Sequence, residues 1–188
     1  MADNLLYFTE LVSMPVFDLK GRRIGRIKDA AIVPLVHASR IDRLLMDGTD
    51  AWLTIRYDQV RSIQLAKGIS LTDEQLVPYH DDEYILRIAR DLYDQQIIDV
   101  NGRKVVRVND VDLMPEGTAG QIQLKVGSVD VGLRGAVRRL LKGVVPMTAL
   151  RVVLQRIPPR LIPWEFVDLI ETDPARRVKL KISHDRLA

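Results

Sequence analysis

Residues that could carry out chemistry are few in this sequence, and their spacing matches no catalytic pattern. There is no cysteine, and the three histidines, His37, His80 and His184, have no second metal-ligating residue at the spacing of a metal site. Gly21 and Gly25 are not followed by the lysine and serine or threonine of a phosphate-binding loop, and no serine lies in a nucleophile elbow. We therefore predict that the chain is not an enzyme.

Two acidic groups were considered as divalent-cation sites. The run Asp81 to Glu83 precedes a helical pattern, but three consecutive side chains do not converge on one ion, so a solvated helix N-terminus is preferred. Asp110 and Asp112, with Glu116, lack the other ligand positions of a calcium loop, which favours a strand end and turn. We predict no metal ligand and no cofactor, and Mg²⁺ stays an alternative that no ligand constellation supports.

Positive charge is concentrated in one segment, residues 131–164, which contains no aspartate or glutamate. Subtracting its seven cations from the net charge of +3 leaves −4 for the rest of the chain. Six of these cations are candidate contacts for a partner or a membrane surface: Arg134, Arg138, Arg139, Lys142, Arg151 and Arg156. The seventh is Arg160.

The apolar spacing predicts that this basic segment forms two helices, at 133–141 and 146–157, which end before Pro158 and Pro159. Three interpretations stay open. The helices pack their apolar residues on the rest of the fold or on a protein partner, or they lie on an anionic membrane surface, or they contact nucleic acid phosphates. We rank them in that order. Nucleic acid is last because few aromatic residues are available for base stacking.

The elements that must position these residues occur twice. Residues 11–30 and 92–111 align without a gap, and an echo follows at 57–60 and 164–167. The identical pairs are Leu11/Leu92, Asp18/Asp99, Gly21/Gly102, Arg22/Arg103, Arg26/Arg107 and Asp29/Asp110. The chain is therefore most simply two copies of one small unit.

Each copy reads as a β-hairpin whose turn has its own chemistry. Asp18 and Asp99 can accept hydrogen bonds from the backbone two residues on, and Gly21 and Gly102 can adopt the positive φ of a short turn. A bulge is expected at Gly25 and at Val106, the corresponding residue of the second copy. Four residues after the turns are predicted to face a core: Ile24, Ile27, Val105 and Val108.

Composition and spacing complete the predicted architecture. A hydrophobic content of 47% and a charged content of 28% are ordinary for a globular chain, and no window resembles a signal peptide or a membrane span. Short strands with turn signals predict a mainly β protein, with strands at 121–126 and 178–182 in the second half. The predicted domains are residues 1–77, a helical linker at 78–91, and residues 92–188, which carry the helical insertion at about 132–160.

The segment PVFDLKGRRIGRIKDA resembles the opening hairpin of a PRC-barrel domain, D-x-x-G-x-x-[IV]-G-x-[IV]-x-D. The matching positions are Asp18, Gly21, Ile24, Gly25, Ile27 and Asp29. Residues 57–60 and 163–167 are similar to the closing strand of that family, P-W-[ED]-x-V, while the second copy has Val106 where the family has glycine. The resemblance implies two tandem small antiparallel β-barrels, a docking module that also occurs in the reaction-centre H subunit and in the RimM ribosome maturation factor.

A narrower resemblance covers nearly the whole chain. LYDQQIIDVNGRKVVRVNDVDL, RLIPWEFVDLI and RRVKLKISHDRLA are similar to the N-terminal region of proteins related to MgtE-type magnesium transporters, in which tandem PRC-barrels precede a helical domain. Ser183 and the residues after it resemble the start of that domain, so we expect the sequence to continue as a helix.

The resemblance implies a non-catalytic, cytoplasmic regulatory or docking module of a magnesium transport or sensing protein, at or near the cytoplasmic face of the inner membrane. Its partners would be other domains of the same or a partner transporter protein, with an anionic membrane surface and a homodimer as alternatives. An RNA- or ribosome-associated adaptor of the RimM type ranks second, and a divalent-cation sensor ranks third.

Overall fold

The computed structural model of the chain describes residues 5–82, 84–117 and 122–169. These residues form a mainly β structure, as predicted. None of the helices in these three ranges has the length and apolar content needed to cross a membrane. The strand predicted at 178–182, His184 and the helix start at Ser183 lie outside the described residues.

The first half consists of short strands, with one helical turn after the first strand and one 3₁₀ turn (Tyr57–Gln59) after the fifth. The helix is α1 (Phe8–Leu11), and the strands are β1 (Leu6–Tyr7), β2 (Pro15–Phe17), β3 (Arg23–Ile32), β4 (Ile41–Asp47), β5 (Trp52–Arg56), β6 (Val60–Gln64), β7 (Gly68–Leu71) and β8 (Val77–Pro78).

The second half repeats this order, including the 3₁₀ turn (Trp164–Phe166), and adds two helices. Its strands are β9 (Leu86–Arg87), β10 (Gln96–Asp99), β11 (Lys104–Arg107), β12 (Asp110–Glu116), β13 (Gln123–Asp130), β14 (Leu161–Pro163) and β15 (Val167–Leu169). Its helices are α2 (Ile88–Asp91), α3 (Leu133–Leu140) and α4 (Met147–Leu154). The predicted linker at 78–91 is therefore helical only in α2, while α3 and α4 occupy the predicted insertion.

The strands form three sheets. In the largest, the order is β6-β7-β2-β3-β4-β5-β8, with β9 also paired to β3. The others have the orders β1-β12-β13-β14 and β11-β10-β15. No sheet closes on itself within the part of the chain that the structure describes, so the mainly β class is confirmed and the two barrels stay a prediction.

The two halves exchange their first strands. β1, at the start of the first half, pairs with β12 of the second, with Leu6 opposite Leu113. β9, at the start of the second half, pairs with β3 of the first, with Leu86 opposite Ile32. Because both pairings are antiparallel and involve corresponding strands, the halves are joined by a reciprocal, pseudo-symmetric swap.

The same reciprocity extends to two fully buried carboxylates at corresponding positions of the repeat. Asp29 Oδ1 accepts a hydrogen bond from the Ala89 backbone N–H of α2 (2.8 Å), and Asp110 Oδ1 accepts one from the Thr9 backbone N–H of α1 (3.0 Å). Each carboxylate thus satisfies a free N–H group in the first turn of the other half's helix. An arginine neutralises each one: Arg87 at 3.0 Å from Asp29 and Arg138 at 2.5 Å from Asp110.

One hydrophobic core spans both halves. α1 and α2 contribute Phe8, Leu11 and Ile88, which are fully buried. The Phe8 ring packs edge-on against that of Tyr93 from the second half, with centroids 5.1 Å apart. Since burial of a large side chain stabilises the fold by about 1.5–3 kcal/mol, these shared residues stabilise the two halves as one unit.

The turns of the two hairpins differ. In the first, Asp18 Oδ1 accepts hydrogen bonds from the backbone N–H groups of Lys20 (2.9 Å) and Arg22 (2.8 Å), and Gly21 adopts the predicted positive φ of 75°. In the second, Asp99 Oδ1 accepts from the Gly102 N–H at 2.9 Å, but the positive φ falls on Arg103, at 50°. Because the second hairpin pairs Asp99 with Lys104, its loop is one residue shorter than that of the first hairpin.

Of the four hairpin residues predicted to face a core, two are buried and two are exposed. Ile27 and Val108 are fully buried, whereas Ile24 is 37% and Val105 is 59% exposed. The bulge of the first hairpin lies at Ile24, near the predicted position, and the second hairpin has no register shift. No bulge lies between Ile24 and Ile27 or between Val105 and Val108. Residues three apart in an extended chain then point to opposite faces, which explains why only one of each pair is buried.

We expect Asp29→Ala to destabilise the whole chain by about 3 kcal/mol, because it leaves the partly buried Arg87 without its carboxylate partner. The free energy of unfolding from urea denaturation measures this loss. Asp50→Ala, at an exposed position of the same residue type, is the matched control and should leave the midpoint unchanged. Equal midpoints for the two variants would contradict the role of the carboxylate in joining the halves.

Candidate functional site

The most buried cation of the basic insertion is Arg138 of α3, which is 1% exposed. Its Nη1 donates to Asp110 Oδ2 at 2.5 Å, and its guanidinium lies 3.3 Å from the centroid of the Tyr7 ring. Gly135, one turn before it, allows this approach, since a Cβ there would lie 3.0 Å from the Asp130 carboxyl group. Arg138 therefore joins α3 to the sheet and is not accessible to an external partner, contrary to its prediction as a contact.

Arg151 of α4 makes the second ion pair with a buried carboxylate. Its Nε donates to Glu10 Oε1 at 2.6 Å and its Nη2 to Glu10 Oε2 at 2.5 Å and to the Leu5 carbonyl at 2.7 Å. The Glu10 side chain has no exposed surface, and it also accepts the backbone N–H of Tyr7. This bidentate, charge-assisted pair joins α4 to α1.

The remaining cations near the sheet are also bound to groups of the same chain. Arg139 pairs with Asp94 and lies over the Tyr93 ring, and Arg134 donates to the Tyr7 hydroxyl at 3.2 Å. Lys142 Nζ donates to the Val12 carbonyl at 2.7 Å. Of the six predicted contacts, only Arg156 is exposed with no partner among the described residues. Arg160 is exposed as well.

The orientation of the arginines turns the apolar face of the insertion toward solvent. Leu140 (78%), Val144 (77%) and Leu133 (75%) are the most exposed large apolar side chains in the described part of the chain. Val152 and Val153 of α4 add 65% and 63%. Leu133 and Leu140 are seven residues apart and so lie on one face of α3, opposite Gly135 and Arg138. We call these five apolar residues the outer apolar face.

Beneath α3, three buried aspartates surround one arginine. Asp110 lies opposite Asp130 in the β12–β13 pair, and Asp112 lies opposite Ser128, which donates to Asp112 Oδ2 at 3.1 Å. The pKa of Asp112 is raised to about 6, chiefly by burial. The hydrogen bond from Ser128 and the charge of Arg138 lower this pKa, whereas the charges of Asp110 and Asp130 raise it. Burial also raises the pKa of Asp130. This cluster has too few cations for its carboxylates.

The acidic candidates of the sequence do not form a metal site in the described residues, where no group of three metal-ligating side chains occurs. Asp81 accepts the Tyr79 hydroxyl at 2.7 Å and pairs with Arg90. Asp110 is neutralised by Arg138, which occupies the position that a bound cation would need. Among the described residues, the acidic candidates thus have partners of their own and form no ligand set for Mg²⁺.

The two histidines in the described ranges are separate from each other and bound to nearby backbone. His37 Nδ1 accepts the Arg40 backbone N–H at 3.2 Å, and His80 Nδ1 lies 3.2 Å from the Pro78 carbonyl. Neither is paired with a nucleophile, so the geometry assembles no catalytic group around them.

A wide cleft lies between the segment after α1 and the loop that joins α3 to α4. Its volume is about 950 Å³. Thr9, Glu10 and Met14 line one side, and Lys142 and Val144 line the other. Lys142 is the only predicted contact residue in this lining, and burial lowers the pKa of its ammonium to about 8. Sequence reasoning did not identify the cleft, because its two walls are more than a hundred residues apart along the chain.

The chain was compared with known proteins. No protein-family model matches it, and no curated protein matches it at a significant level. The resemblance to PRC-barrel and MgtE-related proteins therefore rests on the hairpin and closing-strand residues alone.

Asp112→Asn should stabilise the chain at pH 7.5 by roughly 2–3 kcal/mol, because the folded carboxyl has a pKa of about 6 against an ordinary value of 3.8. The folded state binds this proton more tightly, so the destabilisation is present above pH 6 and is relieved as the pH falls toward 4. Urea denaturation of both proteins from pH 4 to 8 measures the difference. A constant difference across this range would contradict the assignment.

Proposed function

We propose that this chain is a non-catalytic docking module that binds a protein partner through the outer apolar face of its helical insertion. The observation that carries the proposal is the orientation of α3 and α4. Arg138 and Arg151 point into the fold, whereas Leu133 and Leu140 of α3 and Val152 and Val153 of α4 are exposed. Exposed apolar surface of this kind marks interaction sites in soluble proteins.

The ion pairs beneath the insertion support this function. Arg138–Asp110 and Arg151–Glu10 attach α3 and α4 to two different elements, and the carboxylates of both pairs have no exposed side-chain surface. A face held at two points is preorganised, so docking would lose little conformational entropy. A merely solvated hairpin would place its charges outward and its apolar residues inward.

A protein partner is favoured over a membrane surface. Binding to anionic lipid needs lysine and arginine side chains that face the headgroups, and only Arg156 and Arg160 of the insertion are exposed. The same engagement of the arginines weakens the RNA-adaptor alternative, which needs them free for phosphates.

The cellular context of the proposal comes from the resemblance alone. A cytoplasmic regulatory module of a magnesium transport or sensing protein would dock on another domain of the same or a partner protein. The outer apolar face is the surface that we assign to this contact. Its composition does not distinguish a second copy of the chain from another protein, so the following experiment separates the two.

We expect p-benzoylphenylalanine in place of Leu140 to form a discrete covalent adduct on illumination in native cells. The same residue in place of Lys104, which is exposed on β11, is the control position and should not form this adduct. Denaturing gels and mass spectrometry identify the product. An adduct with twice the mass of the chain indicates a homodimer, and one of another mass indicates a different partner.

Leu133→Glu in the same photo-crosslinking protein should abolish the adduct, because it places a charge in the outer apolar face. Leu133 is 75% exposed, so the free energy of unfolding should change by less than about 0.5 kcal/mol. Identical adducts from positions 140 and 104, or an adduct that survives Leu133→Glu, would contradict docking through this face.

For the cation-sensor alternative, we expect the midpoint of thermal unfolding to be the same in magnesium chloride and in potassium chloride of equal ionic strength. The buried carboxylates already face Arg138 and Arg87, which leaves no ligand set for the ion in the described residues. A rise in midpoint with magnesium but not with potassium would support the sensor hypothesis instead.

A further inference from the structure

The cleft between α1 and the α3–α4 loop is lined by both apolar and polar side chains. The apolar residues that line the cleft are Val12, Met14, Leu65, Val144, Val145 and Pro146. Its volume of about 950 Å³ falls within the range of small-molecule sites. An aliphatic chain placed here would bury its methylene groups against these side chains.

The charged groups of the cleft are not balanced. Lys142 Nζ donates to the Val12 carbonyl and has no carboxylate partner among the described residues. Arg26 is exposed, and its guanidinium has no partner in the same part of the chain. Glu10 also lines the cleft, but both of its oxygens are bound to Arg151. The cleft therefore presents two cations and no free anion.

We propose that this cleft binds a small molecule with an aliphatic chain and an anionic head group, with the head group on Lys142 and Arg26. Charge complementarity selects the sign of the head group, and the apolar side chains of the lining select the tail. The site shares one residue, Val144, with the outer apolar face. The two residues assigned to the head group, Lys142 and Arg26, lie outside that face, so this inference does not rest on the proposed docking function.

The lysine gives the site a characteristic pH dependence. Burial lowers the pKa of the free ammonium to about 8, and a bound anion would raise it again. Affinity for the anion is therefore fully present below pH 8 and decreases as the pH rises above 8. Binding driven by the tail alone would show no such decrease.

The test is isothermal titration calorimetry with decanoate, at pH 7.0 and pH 9.5. We expect the dissociation constant of the unmodified chain to increase about tenfold at the higher pH. Lys142→Arg should bind at pH 7.0 within about threefold of the unmodified chain and show no pH dependence, because arginine stays charged. Arg26→Gln should weaken binding about tenfold through loss of a charge-assisted hydrogen bond.

The controls address the head group and the place of binding. Decyltrimethylammonium, which has the same tail and the opposite charge, should not bind. Arg156→Gln and Leu133→Glu, both outside the cleft, should bind decanoate as the unmodified chain does. Equal binding of the two amphiphiles, pH-independent affinity, or an Arg26→Gln variant with unchanged affinity would overturn the proposal. Since Arg26 is exposed, that variant does not depend on the stability of the insertion.

Discussion

Two aspartates that are buried without any exposed surface, Asp29 and Asp110, connect the halves of this protein to each other. Each lies in a long strand of its own half and accepts a backbone N–H from the short helix of the other half. A buried carboxylate is costly unless it is hydrogen-bonded and neutralised. The swapped strands β1 and β9 place the N–H groups within reach, and an arginine completes each site.

The arginines break the symmetry of this arrangement. Asp29 is neutralised by Arg87, which precedes α2, whereas Asp110 is neutralised by Arg138, which lies in the insertion that only the second half contains. The demand of Asp110 for a cation therefore positions α3. Arg151 and Glu10 then position α4. Leu133 and Leu140 of α3 and the valines 152 and 153 of α4 are left facing solvent, while the α4 leucines 150 and 154 are buried. The surface that we propose for docking follows from the neutralisation of two buried carboxylates, Asp110 and Glu10.

Local sequence signals were sufficient for much of the fold. The repeat of 11–30 in 92–111, the Asp18 turn and the alternating strands were all readable, because they depend on neighbouring residues and on period-two alternation. The interpretation was wrong for Ile24 and Val105, where the position of a bulge decides which face a side chain occupies. The positive φ at Arg103 in place of Gly102 depends on a loop one residue shorter, which the gapless alignment did not show.

The sequence by itself determined the mainly β class, the duplication and the helical periodicity of the basic segment, since each is a property of short stretches of chain. Only the tertiary structure decided which face of the insertion is buried. A helix that carries arginines on one side and leucines on the other can pack either side, and its own residues do not choose. The choice comes from Asp110 and Glu10, whose buried carboxylates are distant in sequence and must be neutralised by cations.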